Sequence, residues 1–280
     1  QAGNITIDVA DNKTLTYSGS AISLGANTLT LSGGGALSNT NALVLNHASS
    51  KLLLNSITVG SVSTSHASLG LDVDNDSTVS SLSVAHITPV SIASGSTLSG
   101  AITVTAGSIK LGETGTLASS ISMSGGVLDA DNSSTVSGTL TQAGNITIDV
   151  ADDKTLTYSG SAISLGANTL TLTGGGNLVS GGLTLDNASS KLVLNSITVD
   201  NVSTSHASLG LDVDNDSTVT SLTVGHTTPV SIASSKTLSG AITVTAGSIK
   251  LDETGTLAST IAMSGGTLDA DNSSTLSGTL

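Results

Sequence analysis

The sequence contains no Cys, Phe, Trp or Arg, and only two Pro and two Tyr in 280 residues. The absence of Cys excludes disulfides and thiol chemistry. Because aromatic side chains bury the most area each, their scarcity disfavours one compact globular core and predicts a long, thin core of Leu, Val, Ile and Ala. The charged fraction of 10% and the mean hydropathy of +0.30 are opposite to the composition of a disordered chain.

Positive charge is also scarce, because seven Lys face 20 acidic residues and the net charge is −13. This balance argues against a nucleic-acid partner, since such binding depends on Lys and Arg meeting phosphates. No apolar run approaches the roughly 18 residues of a membrane-spanning helix, so no membrane span is predicted. The first residues show neither the basic nor the apolar region of a signal peptide, so none is expected in this stretch.

A long repeat organises the sequence. The segment Gln1–Leu31 recurs at Gln142–Leu172 with one substitution, Asn12 to Asp153. The similarity continues to the end of the chain, interrupted where Ala36–His47 is replaced by the shorter Asn177–Asn187. The sequence therefore predicts two repeats of about 140 residues, 1–141 and 142–280, forming one continuous rod without a linker.

A shorter period lies inside the long one. A small polar residue followed by an aliphatic one recurs at a step of roughly 20 residues, for example at Thr97-Leu98, Thr116-Leu117 and Thr135-Val136. Counting Ser56-Ile57 as one of these pairs, each long repeat holds seven short units. Between the pairs, apolar residues alternate with polar ones, which is typical of strands with one buried face.

These periods predict an all-β fold, a parallel β-solenoid of about 14 coils of about 19–22 residues. Three short strands in each coil, with Gly, Asn, Asp and Ser at the corners, favour a triangular coil. The variable step fits a right-handed solenoid better than the strict hexapeptide of left-handed ones. An antiparallel sandwich is the rival fold, but it gives no reason for a near-constant step.

Units such as TLSGAITVTAGSIKLGETG and TVSGTLTQAGNITIDVAD resemble those of filamentous-haemagglutinin-type adhesins, autotransporter passenger domains and giant repetitive bacterial surface proteins. The resemblance covers the whole chain and lies in composition and period. It implies an extracellular or bacterial cell-surface location and a structural or adhesive role. The partners that it implies are other copies of the chain and the surface of a host or neighbouring cell.

The two ends of the sequence continue the same pattern. Ser277–Leu280 repeats Ser137–Leu140, which Thr141 and Gln142 follow in the first repeat, as Gln1 would follow in a tandem copy. We therefore expect either a window from a longer array or a unit that stacks end to end, since solenoid ends are normally capped.

Acidic clusters at the coil corners are the first candidate site. One begins like an EF-hand loop, D-x-D-x-D, but Ser77 replaces the Gly and no Glu stands at loop position 12. Two interpretations stay open, a Ca²⁺ site and solvated turn residues. The candidate ligands are Asp72, Asp74, Asp76, Asp212, Asp214 and Asp216.

A ladder of Thr and Ser flanking the coil-start residue is the second candidate. Such T-x-T arrays resemble those of ice-binding solenoids, whereas the alternative is that Thr and Ser simply suit exposed strand faces. The clearest members of this candidate interaction surface are Thr14, Thr16, Thr78, Ser80, Thr218 and Thr220.

The remaining chemistry is sparse. The five His (His47, His66, His86, His206 and His226) form no second-residue pair suited to metal and are interpreted as surface residues. Every acidic cluster occurs again in the second long repeat, whereas a catalytic site is usually singular, so we expect no enzyme activity and no cofactor apart from the Ca²⁺ considered above. A ligand-binding adhesin is a further alternative, with its specific loop in the length-variable stretch Ala36–His47 or Asn177–Asn187.

Overall fold

The computed structural model describes residues 2–271 and 273–280, and all the regular secondary structure in these residues is β-strand. The chain forms two compact units, Gln1–Leu140 and Thr141–Leu280. The strands are short because polar corner residues interrupt the apolar alternation every few positions.

The first unit begins at β1 and ends within β17. Its strands are β1 (Ile5–Asp8), β2 (Thr14–Tyr17), β3 (Ile22–Ser23), β4 (Thr28–Ser32), β5 (Ala36–Asn39), β6 (Leu43–Leu45), β7 (Lys51–Asn55), β8 (Thr58–Thr64), β9 (Gly70–Val73), β10 (Ser77–Val84), β11 (Pro89–Ile92), β12 (Thr97–Val104), β13 (Ser108–Leu111), β14 (Thr116–Met123), β15 (Val127–Ala130), β16 (Ser134–Val136) and β17 (Leu140–Gln142).

The second unit repeats this order. Its strands are β18 (Ile146–Val150), β19 (Thr155–Tyr158), β20 (Ile163–Ser164), β21 (Thr169–Thr173), β22 (Asn177–Val179), β23 (Leu183–Leu185), β24 (Lys191–Asn195), β25 (Thr198–Thr204), β26 (Gly210–Val213), β27 (Ser217–Val224), β28 (Pro229–Ile232), β29 (Thr237–Val244), β30 (Ser248–Leu251), β31 (Thr256–Met263), β32 (Thr267–Ala270) and β33 (Thr275–Leu276).

Strand pairing in both units is parallel, and each strand pairs with the equivalent strand of the next turn. The first side of the first unit runs β1-β4-β7-β9-β11-β13-β15. The first side of the second unit runs β18-β21-β24-β26-β28-β30-β32. One such strand per turn gives seven turns in each unit, which confirms an all-β parallel β-solenoid of about 14 turns and excludes the antiparallel sandwich.

The other two sides of each turn are formed by one bent strand or by two short ones. The strand β8 shows this relationship, because its first residues pair with β5 and its last residues pair with β6. The turns thus have three strand segments, as a triangular coil requires, except the last turn of the second unit, where the described residues form only β32 and β33. Right-handedness stays a prediction from the sequence.

The core of each turn consists of the inward residues of these three segments. In one turn they are Ile109, Leu111, Leu117, Ile121 and Met123, all nearly inaccessible to solvent. Each such side chain contributes about 1.5–3 kcal/mol when fully buried. The poverty in aromatics is thus compatible with a stable fold, because every turn fills only a narrow interior.

The prediction that Ile57 starts the third coil is wrong. Val59, two residues later, pairs with Leu37 of the previous turn and with Val79 of the next. Ser56 lies instead in the corner that precedes the strand, with a left-handed φ of 56°. Ile57 is buried too, so both aliphatic residues face inward and the alternation alone did not distinguish them.

Candidate interaction surfaces

The outer face of the first side carries ion pairs between successive turns. Lys51 Nζ lies 2.6 Å from Asp72 Oδ2, and in the second unit Lys191 Nζ lies 2.6 Å from Asp212 Oδ2. Parallel register produces this pairing, because Leu53 is the direct neighbour of Asp72 and Lys51 is two residues before Leu53. One oxygen of each of these predicted Ca²⁺ ligands is therefore held by a Lys.

A second pair of Lys residues bridges carboxylates farther along the same face. Lys110 Nζ hydrogen-bonds to Asp131 and lies 3.8 Å from Asp129. The hydrogen bond with Asp131 raises the pKa of Lys110, and the same bond lowers the pKa of Asp131. In the second unit, hydrogen bonds to Asp271 and Asp252 raise the pKa of Lys250.

The other predicted Ca²⁺ ligands lie at the corner after the first side. Asp76 Oδ1 accepts a 2.8 Å hydrogen bond from the backbone N–H of Thr97 in the next turn, and Asp216 does the same with Thr237. The exposed Asp74 is the first residue of this corner, directly after β9, and Asp214 is its equivalent in the second unit. Asp76 and Asp216 thus hydrogen-bond to the first residue of a strand in the next turn, β12 and β29 respectively.

Four of the six aspartates thus have a partner, Asp72 and Asp212 in ion pairs on the strand and Asp76 and Asp216 in hydrogen bonds at the corner. Among residues 2–271 and 273–280, no group of three or more His, Asp or Glu has an arrangement that would hold a metal ion. Ca²⁺ binding by these residues stays a prediction.

The Thr and Ser ladder is not a continuous column. Thr14 pairs with Ala36, which pairs with Thr58, and Thr58 pairs with Thr78. Thr78 then pairs with Ser99, and a register shift follows between Val79 and Ser81. All six predicted members are exposed as expected, Thr14, Thr16, Thr78, Ser80, Thr218 and Thr220.

The surface around Thr78 and Ser80 is also uneven. A groove of about 250 Å³ is lined by Gly34, Ser56, Ile57, Thr58, Asp76, Ser77 and Thr78. A second groove of about 290 Å³ is lined by Ala36, Leu37, Ser38, Asn39, Thr58, Val59, Gly60, Ser61 and Ser80. Thr78 lines the first of these grooves and Ser80 lines the second, so the ladder does not form a flat surface in this region.

The length-variable stretch is anchored by side-chain amides. Asn39 donates to the carbonyls of Asn41 at 2.7 Å and Ser61 at 3.1 Å, and accepts from the N–H of Gly60 at 2.9 Å. Asn41 donates to the carbonyl of Gly19 in the previous turn at 2.8 Å. The extra residues of the first unit are thus fastened to the turns on both sides.

All five histidines are exposed, as predicted, and within each unit they occupy the same corner of successive turns. Leu45 pairs with Thr64 and Ser63 pairs with Ser83, so the strand ends Leu45, Thr64 and Val84 are in register. His47, His66 and His86 each stand two residues after one of these ends. The same register places His206 and His226 on neighbouring turns of the second unit.

The sequence did contain a signal for this arrangement. The separations between His47, His66 and His86 equal the coil step, but a step of variable length does not fix the register of a corner. Two large apolar side chains are exposed at the same edge, Leu69 at 56% and Ile87 at 83%. The corner that follows the third strand segment of a turn thus carries both exposed imidazoles and exposed apolar side chains.

No protein-family model, curated protein or solved structure matches this chain. The fold defines the class of the protein: it is a tandem-repeat parallel β-solenoid. This architecture is consistent with repetitive β-helix proteins. The described residues contain no helix of the length and apolarity needed to span a membrane.

Proposed function

We propose that this chain is a non-enzymatic structural segment of an extracellular filament or giant cell-surface protein, which grows by the stacking of coils. The observation that carries the proposal is the register of the turns, in which strands pair in parallel with the equivalent strands of the next turn. In such repeat folds the stability is approximately a sum of similar nearest-neighbour terms.

The first coil presents a surface on which another coil would fit. Among the described residues β1 pairs with β4 and β2 with β5, and no second pairing is found for either strand. Ile5 and Leu15 of this coil are 45% and 44% exposed. A coil laid on this edge would complete the hydrogen-bond ladder and bury apolar surface worth about 25 cal/mol per Å².

The partner that fits this edge best is a coil of the same sequence. In the second unit, Leu276 of β33 is also partly exposed, and β33 pairs with β31 alone among the described residues. Within the chain, the segment Ser137–Leu140, which Ser277–Leu280 repeats, leads through Thr141 into the coil that begins at Gln142. A mechanical role requires no specific ligand.

The extracellular location rests on composition and on the resemblance to repetitive surface proteins. Low charge and faces rich in Ser and Thr suit side-by-side packing at a cell surface. Fractionation of producing cells, followed by protease treatment of intact cells, tests this location. Recovery of the protein only in the protease-protected cytoplasmic fraction would contradict it.

Association of the ends is tested by sedimentation velocity and electron microscopy on the full chain. We expect concentration-dependent linear oligomers that Leu15→Lys shortens, because a charge at this edge opposes burial against another coil. The matched control is Leu69→Lys, which changes a somewhat more exposed Leu at a corner, 56% against 44% for Leu15, and leaves oligomers unchanged. A monodisperse wild-type monomer at all concentrations would reject end-to-end stacking.

The two alternatives differ from this proposal in their measurements. An ice-binding solenoid shows thermal hysteresis that is lost when Thr218 and Thr220 are replaced by bulky residues. A ligand-binding adhesin loses cell attachment when Thr40–Ala42 is replaced by the shorter equivalent from the second unit. Calorimetric titration with CaCl₂ tests the aspartate sites.

A further inference from the structure

The same corner of consecutive turns carries a histidine twice in each unit. His66 and His86 lie between two contacts that join consecutive turns at the same offset, the Ser63–Ser83 pair and the Ser68–Thr88 hydroxyl contact of 3.4 Å. His206 and His226 are bracketed in the same way in the second unit. Neighbouring parallel strands are about 4.8 Å apart, so two imidazoles at the same corner of consecutive turns are close enough to bind one ion with metal–nitrogen bonds of about 2.0–2.1 Å. All four side chains are exposed.

The hydrogen bond of one ring in each pair fixes its tautomer. His66 Nδ1 lies 2.7 Å from the carbonyl oxygen of Ala67, and His206 Nδ1 lies 2.7 Å from that of Ala207. A carbonyl oxygen only accepts, so Nδ1 carries the proton and the lone pair of the neutral ring is on Nε2. Metal-binding histidines typically donate their other N–H to a backbone carbonyl in this way.

The third histidine of the first unit is set differently. His47 Nδ1 accepts a 3.0 Å hydrogen bond from the N–H of Ser49, so the proton of its neutral ring is on Nε2 and no outward lone pair remains. In the second unit Asn187 stands at this position and accepts the same bond, 3.0 Å from the N–H of Ser189. His47 Nδ1 therefore stabilises a turn, and in the second unit the side-chain oxygen of Asn187 makes the equivalent hydrogen bond.

We propose that His66 with His86, and His206 with His226, are two-histidine sites for a divalent late transition metal, bound through ring nitrogens with water completing the coordination. Imidazole suits Zn²⁺, Ni²⁺ and Cu²⁺, and Cu²⁺ binds most tightly in the series. Two protein ligands per ion agree with the lack, in the described residues, of any group of three or more ligands placed to hold a metal. The net charge of −13 attracts cations to the surface.

Titration of the full chain with Cu²⁺ alone, followed by calorimetry and electron paramagnetic resonance, tests the proposal. We expect one Cu²⁺ in each unit with nitrogen coupling in the spectrum. His86→Asn removes the site of the first unit and His226→Asn that of the second, each weakening binding at its site at least tenfold. Asn suits the left-handed φ of 59° and 57° at these positions, so both variants keep the fold, which circular dichroism checks.

The matched control is His47→Asn, which installs the residue found in the second unit and leaves both ions bound. Copper binding that survives His86→Asn and His226→Asn together would overturn the proposal. A loss of binding in His47→Asn would overturn the assignment of the ligands. Wild type that binds no more tightly than the double variant would reject the sites altogether.

Discussion

Ser119 Oγ donates a 3.0 Å hydrogen bond to the carbonyl oxygen of Leu98 in the previous turn, inside the bend of the long strand. Gly100 pairs with Ser119, and Gly138 follows at the same bend of the next turn. A Cβ on Gly138 would lie 1.7 Å from the carbonyl oxygen of Ser119. The bend of successive turns thus accommodates only small residues, and the Ser hydroxyl pairs a backbone group there.

Replacing Gly138 by Ala therefore destabilises the fold by about 3 kcal/mol, because backbone must shift to relieve the overlap. Ser119→Ala costs about 1 kcal/mol through its lost hydrogen bond. Urea unfolding followed by circular dichroism measures both changes. Gly3→Ala is the control, since nothing lies within 4 Å of its added Cβ. Equal midpoints for Gly138→Ala and Gly3→Ala would contradict this account of the bend.

Leu15 and Leu156 form a second matched comparison, because both stand in the sequence Thr-Leu-Thr-Tyr. Leu15 is 44% exposed, whereas Leu156 is 1% exposed. Leu156→Ala leaves a cavity and costs about 2–5 kcal/mol, while Leu15→Ala costs about 1 kcal/mol or less, in proportion to the smaller area it buries. Unfolding of dilute protein, below the concentration of any association, measures both. Similar losses would show that position in the repeat, and not burial, sets the contribution.

Thr114 holds a left-handed backbone with φ of 54°. This conformation costs a β-branched residue roughly 1–2 kcal/mol, and Gly95 occupies the equivalent corner of the previous turn with φ of 72°. Thr114→Asn is expected to raise stability by about 1 kcal/mol, seen as a higher melting temperature in calorimetry. Thr103→Asn, on an exposed strand position where Asn is disfavoured, gives no increase. A lower melting temperature for Thr114→Asn would refute the strain.

The ion pair of Lys110 with Asp131 predicts a pH-dependent contribution. The lowered pKa of Asp131 means that its contribution is present above its ordinary value of 3.8 and is lost as the pH falls through the lowered pKa. The raised pKa of Lys110 means that its contribution is present below 10.5 and is lost as the pH rises through the raised pKa.

Lys110→Gln should therefore lower stability at neutral pH by about 0.5 kcal/mol, since both side chains are about half exposed and the pair is screened by solvent. Stability curves from pH 2 to 12 measure the difference, which disappears at both extremes. Lys13→Gln is the control, because no ion pair of Lys13 is found among the described residues. A constant difference across the range would contradict the linkage.

The architecture was predictable because two periods were visible in the sequence. Alternation placed residues such as Ile109 and Leu111 in the core, and the coil step implied parallel stacking of equivalent strands. The start of the third coil was predicted wrongly because Ile57 and Val59 both face inward. What separates them is the left-handed backbone of Ser56, and a Ser residue gives no sequence signal for that conformation.

The surface was less predictable, because contacts between side chains on different turns can be inferred only when the register of the strands is known. The ion pair of Lys51 with Asp72 joins residues two positions out of step, yet their separation along the chain falls within the range of coil steps. The ring orientation of His66 depends on one backbone carbonyl. Composition and period contain no information at that level.

The parallel stacking of equivalent strands also has a kinetic consequence. Each coil closes a loop of about 20 residues, whichever coil it is, so the entropy of closure is the same small term throughout the chain. Folding rate generally falls as contacts join more distant parts of a sequence. Here, lengthening the array by further repeats adds steps of the same kind without raising the mean separation of contacting residues, so a chain many times longer would fold by the same elementary event.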